Sequence, residues 1–166
     1  VFRLFRKRIL PKEHRPQMAS HERVLAWAMT PAGWPVIATN LGLWVEGKRT
    51  SWHEISKAVW DGSVLSVTTS TAVEHREGYD VIADRAPDRY PLEDPGGLPH
   101  EVRLRVTSSV VHPQKFALGW VAARRVPGKD GLSWVVRYDP GIDPAAHAAE
   151  TDAFLETYWK NVGGSE

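Results

Sequence analysis

The feature that most constrains this chain is the run over residues 34–69. Val36-Ile37-Ala38-Thr39, Leu43-Trp44-Val45, Ala58-Val59-Trp60 and Val64-Leu65-Ser66-Val67-Thr68 are rich in Trp and β-branched side chains. Such side chains suit a pleated, half-buried surface. Short turns separate the runs. Asp61-Gly62 predicts a two-residue hairpin of the I′ type, because Asp tolerates positive φ and Gly adopts it freely. Glu46-Gly47-Lys48 is a second turn. A series of consecutive antiparallel strands is therefore expected, and no chemistry is implied by it.

The flanking segments extend the pattern. Residues 24–28 read as a first strand and Pro31-Ala32-Gly33 as a turn, while residues 70–76 are polar and residues 79–83 form a short strand. Five Pro and Gly residues (Pro87, Pro91, Pro95, Gly96 and Gly97) predict a long surface loop over residues 85–97. Residues 98–111 fit both the strand and the helix period; Pro99 suits a first helical turn, so a helix is expected over roughly 99–109. Residues 116–126 read as one strand, Gly128-Lys129-Asp130-Gly131 as a hairpin loop, and residues 132–138 as a strictly alternating, half-buried strand. Asp143 as N-cap and Pro144 at the first position open a C-terminal amphipathic helix. Ala148, Phe154, Leu155, Tyr158, Trp159 and Val162 give its apolar stripe. At 166 residues the chain can bury a core without staples. One domain is expected over residues 21–163, after a basic tail and linker over 1–20. Most of the eight Trp are expected in its core.

The order Thr39-x-x-Gly42, basic turn, Trp52-x-x-Ile55, strand, Asp61-Gly62, strand resembles the early strands of bacterial pleckstrin-homology-like (PH-like, GRAM-related) domains. More specifically, the whole chain resembles a group of small uncharacterised actinobacterial proteins of this fold. The resemblance implies a mainly β (α+β) fold, a bent barrel with the C-terminal amphipathic helix plugging one open end. The strand count read from the residues, about seven antiparallel strands, agrees with that plan. In PH-like domains anionic ligands contact basic groups in strand-connecting loops. The comparable loop here is Glu46-Gly47-Lys48-Arg49, whose two cations make a phosphoinositide a poor expectation.

Charge is unevenly distributed. Residues 1–17 hold six basic groups against Glu13 alone, a net of +5, whereas the rest holds 15 against 19, a net of −4. Phe2, Phe5 and Ile9 fall on one side of a short helix that Pro11 stops, with Arg3, Arg6, Lys7 and Arg8 interleaved. Phe2, Arg3, Phe5, Arg6, Lys7 and Arg8 are accordingly the candidate contacts for a protein partner or an anionic membrane surface. Lys48, Arg49, Arg124 and Arg125 are candidates for a basic rim. No Cys is present, which excludes disulfides and thiolate metal sites. No apolar run is long enough for a transmembrane helix, and no apolar segment of the signal-peptide type follows the basic start. The expected location is cytoplasmic, or peripheral at the inner face of the plasma membrane.

Catalytic motifs are lacking. His53-Glu54 is followed at the zinc-motif position by Lys57, not His. Ser108 and Ser109 lack a nucleophile elbow, Gly96-Gly97 lacks the Lys-Ser/Thr of a phosphate loop, and Glu93-Asp94 reads as a solvated pair. No catalytic residue, metal site or cofactor is expected. The expected function is a non-catalytic interaction module that docks through its basic tail. The alternatives are a nucleic-acid-binding protein, which the near-neutral total charge disfavours, and a small-ligand-binding barrel.

Overall fold

The computed structural model describes residues 8–163. The fold is mainly β, with two α-helices, and its larger sheet curls into an open half-barrel. Strands β1 (Val24–Met29), β2 (Pro35–Thr39), β3 (Gly42–Val45) and β4 (Lys48–Ser51) pair antiparallel in sequence order. The β3–β4 hairpin turns on Glu46 and Gly47 at φ 48° and 76°, the positive pair that a tight hairpin requires. A 3-10 turn, Trp52–Glu54, then redirects the chain. Ser51 and Glu54 cap it reciprocally, each side chain accepting from the other's backbone N–H.

The larger sheet holds β5 (Ile55–Trp60), β6 (Val64–Arg76), β7 (Tyr79–Asp84), β8 (Asp88–Pro91), β9 (Val110–Phe116), β10 (Gly119–Arg125) and β11 (Leu132–Tyr138). Its order is β5-β6-β7-β11-β10-β9, with β8 beside the first part of β6. Helix α1 (Leu98–Ser108) links β8 to β9, and helix α2 (Ala148–Gly163) closes the described chain. β11 runs parallel to β7, while the other neighbours are antiparallel.

Several sequence expectations need correction. The described residues contain eleven strands, not about seven. The polar residues 70–76, whose sequence predicts no element, form the second half of the 13-residue β6. Their Thr and Ser side chains line a polar cleft, so strand and polarity are compatible there. The loop over residues 85–97 contains β8, which pairs with the same strand as β7. β7 and β8 are thus one long strand broken at residues 85–87. Residues 116–126 are not one strand, because the chain reverses at Ala117-Leu118 between β9 and β10. The hairpin after β5 turns on Gly62 and Ser63, one residue later than expected. Asp61 Oδ1 holds it by accepting from the N–H groups of Ser63 and Val64 at 2.9 and 2.7 Å. Asp143 and Pro144 open a 3-10 turn, Pro144–Ala146, and α2 begins after it. The helix expected over 99–109 is present as α1.

Two cores result. In the first, Leu98, Val102 and Val106 of α1 pack with Val36, Leu43, Trp52, Ile55 and Leu65. In the second, Leu155 of α2 packs with Tyr79, Val81, Val121 and Val136. Phe116 stacks on Phe154 at 4.7 Å there, and Trp134 meets Tyr158 and Trp159 edge-on. Trp52 alone among the eight Trp is fully buried; Trp34 and Trp60 pack half-buried against the first core, and Trp134 and Trp159 against the second.

Candidate functional site

The motif residues build the framework of the site. Thr39 Oγ1 accepts from the N–H groups of Leu41 and Gly42 at 3.1 and 3.2 Å, which shapes the β2–β3 turn. A Cβ at Gly42 would lie 2.3 Å from the Thr50 carbonyl oxygen, so only Gly lets β3 and β4 approach. The Trp52 indole N–H donates to the Thr39 carbonyl at 2.9 Å. Thr39, Gly42, Trp52 and Ile55 therefore hold the fold together; all four are buried.

The basic rim divides. Lys48 and Arg125 are exposed. Arg49 is engaged: it donates to Glu22 at 2.8 Å and lies over the Trp44 ring. Glu22 also accepts from Thr39 Oγ1 at 2.6 Å and from the Trp44 indole at 2.8 Å. Burial pushes the Glu22 carboxyl up. These hydrogen bonds, one from the Ala19 N–H, and the Arg49 charge outweigh burial and hold the group below its ordinary value. Arg124 is not on a rim. It is 4% exposed, and its Nη2 donates to the carbonyls of Trp52 and Ile55 and to Ser109 Oγ at 3.1, 2.9 and 2.6 Å. Burial, then the charge of Arg137, lowers its pKa to about 10.

Of the tail candidates, Phe2, Arg3, Phe5, Arg6 and Lys7 lie outside the described residues. Arg8 is the root of the tail. It pairs with Asp94 at 2.9 Å, donates to the Trp27 carbonyl at 2.9 Å and lies over the Trp27 ring. The Trp27 indole donates back to the Arg8 carbonyl at 3.2 Å, and Leu10 is buried. The Arg8 guanidinium is thus spent inside the chain.

A polar cleft of about 620 Å³ lies between β4 and the β6–β7–β11 face of the half-barrel. Lys48, Arg49, His53 and Arg85 line it together with Glu54, Asp80 and Asp88. His53 Nδ1 is 2.8 Å from Ser51 Oγ. Burial lowers the His53 pKa, Arg124 and Lys129 add to this, and Glu54 opposes it. Among the described residues β4 has no partner on its outer side in the sheet order, so its backbone borders the cleft as an edge. A smaller pocket of about 190 Å³ adjoins the cleft through Ile82 and Val135 and is lined by Trp120, Arg124 and Arg137. Arg137 and Trp120 were not among the sequence candidates. The alternation of β11 did place Ser133, Val135 and Arg137 on one face, but reading that face as solvent hid the pocket.

Among the described residues no group of three or more His, Cys, Asp or Glu is arranged to hold a metal ion. No helix among them is long and apolar enough to cross a membrane. Comparison with protein-family models, curated proteins and solved structures found no match to this chain.

Proposed function

We propose that this chain is a non-catalytic interaction module that docks to an anionic membrane surface through the basic, Phe-containing tail at residues 2–7. The observation that carries the reading is the fixed root of that tail. Arg8 bonds to Trp27 of β1 and pairs with Asp94 after β8, and Leu10 is buried, so the cations and Phe residues adjoin, in sequence, an anchored segment. A single short segment binds anionic lipid only weakly, and a rigid root lowers the entropy lost on docking. A pleckstrin-homology-like plan is part of the proposal. β1–β4, then β5, β6 and the broken β7/β8 strand, then a helix packed in the first core follow that order of elements. In this reading α1, not α2, takes the plug position, and β9–β11 with α2 are an addition.

A protein partner is the second reading. Its supporting observation is the free edge of β4 beside the polar cleft, which suits an extended peptide added as a further strand. Co-sedimentation with anionic and neutral vesicles separates the two. Binding by the full chain that is lost on removing residues 1–7 supports tail docking to membranes. Equal binding by both chains overturns it. The cut leaves the Arg8 and Leu10 anchor intact.

A further inference from the structure

The small pocket carries a chemistry of its own, separate from the tail. β10 and β11 pair with Trp120 opposite Arg137, Ala122 opposite Val135 and Arg124 opposite Ser133. Cross-strand partners share a face, so both arginines and Trp120 face the same pocket. Among the described residues no acidic side chain lines it. Asp84 binds Arg137 at 2.9 Å from outside that lining, which leaves one positive charge uncompensated. Arg124 and Arg137 each bury an Nε–H that has no hydrogen-bond partner. Buried donors of this kind are normally satisfied. Burial, then the charge of Arg137, disfavours the Arg124 cation, and an anion bound between the two lining arginines would offset that repulsion.

The remaining walls are mostly apolar, Ile82, Val110, Pro113, Val121, Ala122 and Val135, with Ser56 the one further polar side chain among the described lining and its hydroxyl donating to the Thr68 carbonyl. Trp120 is 47% exposed, an aromatic face left open on the rim. The volume, about 190 Å³, is below the roughly 300–1,000 Å³ of pockets for drug-sized ligands. Mostly apolar walls disfavour a phosphate, whose oxygens would lose water on every side. A planar carboxylate matches the fork of an arginine, and an aromatic body matches the walls and Trp120.

We infer that the pocket between Arg124, Arg137 and Trp120 binds a small aromatic carboxylate, its oxygens accepting from both guanidinium groups and its ring against Trp120. The proposal goes beyond tail docking and does not depend on it.

The test is NMR titration of the full chain with benzoate, benzamide and inorganic phosphate. The arginine Nε–H and Trp120 indole signals are followed. Saturable benzoate shifts at Arg124, Arg137 and Trp120, with none from benzamide, are expected. Arg137→Gln should weaken benzoate roughly tenfold or more, the scale of a charged hydrogen bond. Ala122→Leu should abolish binding by filling the pocket, which decides the matter if Arg137→Gln fails to fold. Arg124 is left unaltered because it also ties down the Trp52 turn. Equal binding of benzamide, or saturation by phosphate and not by benzoate, would overturn the carboxylate assignment. No saturable shift with any probe would overturn the site.

Discussion

The guanidinium of Arg124 on β10 donates to the backbone carbonyl of Trp52 at 3.1 Å, joining two segments 72 residues apart. The same nitrogen reaches the Ile55 carbonyl and Ser109 Oγ, so one buried cation ties the turn between the two sheets to the end of α1. Removing it leaves two carbonyls without that donor. Arg124→Met is therefore expected to cost about 2–4 kcal/mol in urea unfolding, the scale for breaking buried charged contacts. A loss below about 0.5 kcal/mol would show that the contact is dispensable.

Trp52 and Thr39 make the complementary bond on the other side of that turn. Trp52→Phe keeps most of the apolar volume but leaves the Thr39 carbonyl without the indole donor. The expected cost is about 1–3 kcal/mol, against about 3–5 kcal/mol for Trp52→Ala, which adds a cavity. Equal losses for the two variants would assign the role of Trp52 to the hydrogen bond alone, and a negligible loss for Trp52→Phe would assign it to packing.

Gly42 offers a test of close approach. Gly42→Ala puts a methyl 2.3 Å from the Thr50 carbonyl oxygen and should cost about 1–3 kcal/mol or more. Gly163→Ala, with nothing within 4 Å among the described residues, is expected to be neutral to stabilising by up to about 1 kcal/mol. Thermal unfolding of both variants compares them directly.

Glu22 sets an acid limb. Its folded pKa lies below its ordinary value of 4.5, so the stability it contributes is present above that value and lost as pH falls through the folded pKa. Glu22→Gln should be less stable than the parent at neutral pH. The gap should narrow in acid, measured as urea midpoints across pH. A constant gap would contradict the pairing with Thr39, Trp44 and Arg49.

The sequence made β1, β2, β3, α1 and the Thr39–Trp52 motif legible, because β-branched runs, glycine turns and Pro99 each have a local cause, whereas β4, with Lys48, Arg49, Thr50 and Ser51, carries no apolar run. Arg124 and Arg125 show where legibility stops. Adjacent strand residues point to opposite faces, so one of the two had to turn away from the other. Which one is buried depends on what packs on each face of the curled sheet, a long-range property. The same applies to Ser70 and Thr71, whose polarity predicts no element but serves a cleft. β11 beside β7 was equally hidden, since a parallel pairing across 55 residues leaves no turn to read.

The central claim is that the tail cations and Phe residues dock this chain on anionic surfaces. Reversing Arg3, Arg6 and Lys7 to Glu in the full chain tests it most directly, by vesicle co-sedimentation at low and physiological salt. The account expects the unaltered chain to bind anionic vesicles, less so at higher salt, and the reversed chain to stay in solution. Equal sedimentation of the two chains, or binding that ignores lipid charge, would contradict it.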